Sequence, residues 1–314
     1  MGLCGMLKNE RVTSIVRLVS FSALTAFLVS VGLFLPIMGF WGTLLCPLPL
    51  AVLGYREGLK WMAPGLFLTE LILSFAPSLA LYFVIGCFPL SLAVFLIART
   101  RWTGSESLAV CVLASLGAKL ALMAVFWALT GRNILFPDVR QVEVLLQSLS
   151  AGMPIDEAEA IREAVRQAVT LFPYMMPSVL LLYSMLDSVI DYSLCCHFLR
   201  GAMSKPPALP PLSNWRFPRS LLPAMILSFF LGWVWKTDTW LQGAMFASNL
   251  RLVLNVLFFT QGFSLALWWM ERRAVKPMLK WPLIALMVFP LMWVWLILLG
   301  VSDMAFDFRA RAKK

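Results

Sequence analysis

The sequence predicts an all-α, polytopic membrane helix bundle, and three observations carry that prediction. Of 314 residues, 61% are hydrophobic and 13% charged, whereas soluble domains carry about 25% charged residues. The apolar residues recur in runs near the length a helix needs to cross about 30 Å of hydrocarbon. The basic residues behind the net charge of +10 stand between those runs, the pattern that marks cytoplasmic loops. No basic face with interleaved aromatics lies outside the runs, so the expected partner is the lipid bilayer and not nucleic acid.

The first run, residues 12–35, follows Lys8 and Arg11. It is too long for a signal-peptide core and no small-residue cleavage pattern follows, so it reads as a retained first span. Ser22 and Ala26 form a small-xxx-small pair that permits close helix approach. The second run, 40–54, is short and carries Pro47 and Pro49 near its middle. These prolines predict a broken segment, which survives where protein or a cavity covers the backbone. A polar turn over 55–60 leads to span three, 61–75, which holds Glu70. Span four runs from Pro77 to Ala98, before Arg99 and Arg101; span five, 107–130, holds Lys119.

Residues 131–170 change character. Asp138, Glu143, Asp156, Glu157, Glu159 and Glu163 outnumber their basic neighbours. Met153-Pro154 opens a helix with acids in its first turn, favourable for the dipole. Ile155, Ala158, Ile161, Val165, Ala168 and Phe172 then repeat at helical spacing. Two short amphipathic helices are expected, lying on or capping the membrane domain, either as ordinary surface helices or as a lid.

Span six covers residues 173–200. Within it Ser184, Asp187, Ser188 and Asp191 follow i, i+3, i+4, i+7 spacing and share one helix face. That stripe is expected to line a cavity and not lipid, because hydrocarbon penalises every member of it. A Pro-rich, basic linker follows. Span seven is 221–235. Span eight, 247–270, carries Asn249, Arg251, Asn255 and Gln261, for which interhelical hydrogen bonding is expected. Span nine, 281–301, is interrupted by Pro290. The chain thus divides into a membrane core at 1–200 that includes segment 131–170, a cytoplasmic linker at 201–219, and C-terminal helices with a basic tail at 220–314.

If each run crosses, the basic N-terminus, 55–60, 99–101, 200–219 and 271–280 share the cytoplasmic side and 131–170 faces away. Nine crossings would leave Arg309, Arg311, Lys313 and Lys314 outside. Either span nine turns back at Pro290, or one short run does not cross, or the tail breaks the rule.

Counting helical rise from the run ends places Lys119 and Asp187 about 20 Å deep, Glu70 about 15 Å and Asn255 about 20–25 Å. An isolated charge there costs about 2.5–3.5 kcal/mol. A Lys119–Asp187 pair, or Lys119–Glu70 as the alternative, would reduce that cost. Two readings stand: a buried ion pair that fixes helix register, or a polar site for a solute or proton built from Glu70, Lys119, Ser184, Asp187, Ser188, Asp191 and Asn255. The six cysteines form no CxxC pair, and Cys195-Cys196-His197 point in different directions on a helix. Neither a disulfide framework nor a metal site is expected. P-loop, HExxH and GxSxG motifs are absent, so no cofactor and no enzymatic activity are expected.

Several stretches, CPLPLAVLGYREGLKW, LFPYMMPSVLLLYSMLDSVIDY, LPPLSNWRFPRSL, NVLFFTQGFSLALWW and LLGVSDMAFDFRAR, resemble the YybS-like bacterial membrane proteins, a family with a domain of unknown function. That family is grouped with the substrate-binding S components of energy-coupling-factor vitamin transporters. The resemblance implies an S-component-like six-helix core followed by two or three further helices, which depart from the S-component plan. It implies a multi-pass protein of the bacterial cytoplasmic membrane with a cytoplasmic N-terminus. Binding or transport of a small solute follows from it, with an energy-coupling membrane subunit docking at Ser22 and Ala26. The other expectation is a non-transporting scaffold or regulator that acts through a protein partner.

Overall fold

The computed structural model describes residues 3–35, 39–97, 102–131, 155–199, 209–234 and 241–312. Among these there are helices and no strand. The chain forms two compact units, residues 1–137 with 180–209, and residues 138–179 with 210–314. The part of segment 131–170 between 132 and 154, and residues 201–208 of the linker, lie outside the described residues.

In the first unit α1 (Leu3–Phe34) packs on α2 (Gly39–Leu45), α3 (Leu48–Glu57) and α4 (Leu59–Leu73). The break between α2 and α3 is the one its prolines demand. Pro47 has no N–H for Thr43 C=O, and that oxygen accepts instead from Cys46 Sγ at 3.3 Å. Pro47 C=O in turn accepts from the buried Ser91 hydroxyl at 2.8 Å. Pro77 opens α5 (Pro77–Tyr82), which widens into a π turn over Phe83–Cys87 before α6 (Phe88–Ile97). Pro89 explains the wide turn, since it withholds the donor that Ile85 C=O would otherwise receive. α7 (Gly104–Thr130) starts at a capping box between Thr103 and Glu106. Its residues, with α3, α6 and the end of α8 (Ile155–Phe198), enclose one core cluster around Val94, Cys111 and Tyr192.

The expected separate amphipathic helix and span six are one helix. α8 runs 44 residues through Pro173 and Pro177. Asn249 supplies the reason. Pro177 and Pro173 strip donors from the ladder, and the Asn249 amide bridges it: Ser178 N–H donates to Asn249 Oδ1 at 3.1 Å, while Asn249 Nδ2 donates to Tyr174 C=O. The residues 155–179 that Asn249 holds belong to the second unit.

That unit contains α9 (Leu221–Val234), α10 (Leu241–Arg272), α11 (Pro277–Val288), α12 (Pro290–Phe306) and the short α13 (Phe308–Arg311). α10 and α12 cross at two glycines. A Cβ on Gly262 would lie 2.8 Å from Leu296 C, and one on Gly300 would lie 2.9 Å from Phe258 C. α11 and α12 bend by 95° where Pro290 interrupts the run. Residues 303–309 then return onto the linker. Arg309 donates to Ser213 C=O at 2.7 Å, and Asp307 pairs with Arg219 at 3.2 Å. The tail therefore packs against the linker within its unit.

Five described helices are long and apolar enough to cross a membrane, six counting the bent pair. The eight or nine sequence runs include α2 with α3, α4 and α9, which are shorter. Phe67, Leu113, Ile226 and Trp233 are 67–72% exposed. Such surface is a liability in water and a lipid face in a bilayer. Because lipid tails are as apolar as Leu, packing and hydrogen bonds hold these helices together.

Gly262→Ala should lower the thermal midpoint in detergent, with overpacking costing about 1–3 kcal/mol. Gly117→Ala, with nothing within 4 Å of its Cβ, should raise it through helix propensity by up to about 1 kcal/mol. Equal shifts of one sign would contradict the crossing.

Glu57 yields a second test. The Ser14 hydroxyl at 2.7 Å, aided by Arg17 at 2.6 Å, holds its carboxyl below the usual carboxylate range. A lowered folded pKa contributes stability that is complete above the ordinary Glu value of 4.5 and is lost as pH falls through the folded value. Glu57→Gln should flatten the acid limb of a melting-versus-pH curve below that value and leave its slope near pH 7 unchanged.

Candidate functional site

The polar stripe of α8 faces protein. Ser184, Ser188 and Asp191 are at most 1% exposed and Asp187 is 6% exposed. From α7, Ser115 and Lys119 stand one turn apart and meet that stripe. Lys119 Nζ lies 2.8 Å from Asp187 Oδ2, and Ser115 Oγ donates to the same oxygen at 2.8 Å. Lys119 also donates to Ser115. Its ammonium sits 4.7 Å from the centre of the Tyr183 ring. The Tyr183 and Thr43 hydroxyls are 3.2 Å apart. Lys119 is thereby held by a carboxylate, a hydroxyl and an aromatic face, which suits a cation removed from water.

One turn further along α8 the arrangement changes. Asp187 Oδ1, both carboxyl oxygens of Asp191 and the hydroxyls of Ser184 and Ser188 are buried without hydrogen-bond partners among the described residues. Asp187 and Asp191 lie close enough to act electrostatically on each other and on the buried Cys46. Cys46 Sγ itself sits 2.6 Å from Cys87 Sγ. The site therefore combines one neutralised pair with unspent acceptor capacity. It can receive a cation, a proton or a donor-bearing group, and it offers no activated nucleophile with a base beside it.

The other expected members stand elsewhere. Glu70 is not the partner of Lys119. Its Oε1 is buried without a hydrogen-bond partner among the described residues, and it lines a cavity of about 460 Å³ with Ser74, Pro77 and Ile85. Depth counting alone cannot tell which acid Lys119 meets. Asn255 lies on α10 in the second unit, half-buried, and makes no side-chain hydrogen bond with the described residues. Ser22 and Ala26 are 0% and 3% exposed. Ser22 donates to Gly65 C=O at 3.1 Å, so these small residues pack α1 within its own unit.

Sequence reasoning missed a second buried cluster. Arg309 is 1% exposed, bonded to Ser213 C=O and Ser264 Oγ and 3.5 Å from Asp303, which also accepts from Gln261. Gln261 Oε1 accepts from Phe217 N–H at 3.0 Å. Three stretches far apart in sequence thus fasten the linker to α10 and α12. Their available signal was an acid and an arginine, Asp303 and Arg309, at the edge of an apolar run.

Apolar helices of spanning length with aromatics exposed on their outer faces define a polytopic α-helical membrane protein. The chain belongs to the DUF2232 family of predicted membrane proteins, whose family model matches residues 23–304. No curated protein and no solved structure matches it.

Breaking one partner of a buried pair typically costs about 3–5 kcal/mol. Lys119→Met should lower thermal stability by that order, and Lys119→Met with Asp187→Leu should recover much of the loss. A double variant equal to the sum of the singles would refute the coupling.

Proposed function

We propose that the first unit binds a small solute carrying a cationic or hydrogen-bond-donating group, at the buried face of Ser184, Asp187, Ser188 and Asp191. The carrying observation is Asp191, whose two buried oxygens have no hydrogen-bond partner among the described residues. A pair that merely fixes register needs Lys119 and Asp187; it leaves Asp191 unexplained. In a membrane interior an unpartnered polar group is expensive and is retained where it serves a guest. With Lys119 neutralising Asp187, Asp191 is left to offer its carboxyl to a cationic or hydrogen-bond-donating guest.

Several wider readings rest on the quoted motifs and on charge placement. The chain is related to the YybS-like proteins and through them to S components, and it assists solute transport in place of catalysis. Its membrane is the bacterial cytoplasmic one, with the N-terminus and linker inside, supported by the basic loops. Energy for transport comes from a separate coupling subunit, since no P-loop is present.

The test is mass spectrometry of small molecules that co-purify with the protein. Asp191→Asn should lose the bound solute while its thermal midpoint stays near that of the parent. In a cysteine-free background Ser188→Cys should react with a small water-soluble thiol reagent and Leu182→Cys should not. Unchanged co-purification in Asp191→Asn, or equal inertness of both cysteines in folded protein, would reduce the site to helix packing.

A further inference from the structure

The 95° bend between α11 and α12 has a consequence of its own. It opens an elbow against the C-terminal third of α10, a cavity of about 890 Å³. The walls are apolar: Leu265, Trp269, Leu286, Met292, Trp295 and Leu299 are among them. Trp269, Leu286 and Trp295 remain 53–66% exposed. The single charged lining side chain is Arg311.

Two further guanidinium groups stand over wall residues. Arg272 lies 5.4 Å from the ring centre of Trp268, and Arg273 lies 5.5 Å from that of Trp269. Trp268 and Trp269 both line the cavity. None of Arg272, Arg273 and Arg311 makes an ion pair with the described residues, although Glu271 and Asp307 are near in sequence and pair with other cations. Arg311 thus lines an otherwise apolar hollow and Arg272 and Arg273 stand over two of its wall tryptophans, none of the three ion-paired among the described residues. Tryptophans are enriched at headgroup depth in membrane proteins, which suits a rim that meets lipid phosphates.

We propose that this elbow binds one anionic phospholipid, with an acyl chain against α10, α11 and α12 and its phosphate group held by Arg272, Arg273 and Arg311. The two halves of the site match the two halves of that ligand. Wall chemistry excludes a small polar solute, which would find no donors or acceptors below the rim. Guanidinium groups suit phosphate because they present several donors in a planar fork. Neutral lipid would fill the apolar part equally well, so the charge of the headgroup is what the three arginines select. The site belongs to the second unit and is independent of the polar face on α8.

The experiment uses the full chain in nanodiscs of equal phosphatidylcholine and phosphatidylglycerol. After extraction in mild detergent, native mass spectrometry counts the lipids retained. The parent should retain phosphatidylglycerol over phosphatidylcholine. Arg272→Gln, Arg273→Gln and Arg311→Gln together should reduce that preference by about fivefold for each charge removed. The three arginines replaced by lysine should keep most of it. Ala266→Phe, which fills the elbow, should lower retention of both lipids. Absence of preference in the parent overturns the proposal, and so does an unchanged preference in the triple glutamine variant. If that variant does not fold, Arg311→Gln alone decides by the same ratio. Displacement of the retained lipid by millimolar inorganic phosphate would show a free-anion site and also overturn it.

Discussion

A polar atom in hydrocarbon has no solvent to bind, so the chain must supply its partners. Most of what is particular about this structure answers that constraint. Lys119 can lie deep in the first unit because Asp187 meets it at 2.8 Å and Ser115 hydrogen-bonds to both. Arg309 can be 1% exposed because Ser213, Ser264 and Asp303 surround it. The arrangement of the helices is in large part the arrangement that brings these groups together.

The two pairs do different work. Asp303 and Arg309 draw together a linker, a long helix and the chain's end, so their partners are spread over some hundred residues of sequence. Replacing such a network by apolar side chains could be as stable, but it would not specify which surface the linker meets. Lys119 and Asp187 sit on two helices, and the atoms around them are not all spent. The Asp303–Arg309 cluster also leaves single atoms such as Asp303 Oδ1 without a hydrogen bond among the described residues, but each of its charged groups has another atom engaged. Asp191, one turn from Asp187, differs in that neither carboxyl oxygen has a hydrogen-bond partner among those residues.

Helix existence and the Lys119–Asp187 juxtaposition were legible because both follow from periodicity and sign. An i, i+3, i+4, i+7 stripe identifies a face, and an isolated lysine in an apolar run requires an anion. Ser115 was accessible by the same logic, four residues before Lys119. Thr43 and Tyr183 were not, since their meeting depends on how α2 is set by Pro47 and Pro49. Depth counting ranked Glu70 as a rival to Asp187 because rise along a helix measures height and not azimuth. Small residues at 22 and 26 signalled close approach correctly, while the surface they approach was internal. The continuity of α8 was hidden because two prolines argue for an end, and the side chain that overrides them comes from residue 249.

That repair separates structural from functional polarity in this membrane protein. Side chains engage carbonyls around the span prolines: Cys46 takes the Thr43 carbonyl that Pro47 leaves without its amide, Ser91 donates to Pro47 C=O, and Asn249 donates to Tyr174 C=O, whose usual donor, the Ser178 N–H, turns to Asn249 Oδ1. Asn249 would qualify by sequence as an intramembrane functional residue, yet its amide is directed at Ser178, Tyr174 and a carbonyl of its own helix. Asp191 has no such duty. Among the described residues neither of its oxygens accepts a hydrogen bond. A carboxyl group kept at that depth without a structural debt to settle is the residue around which a binding function is most economically built.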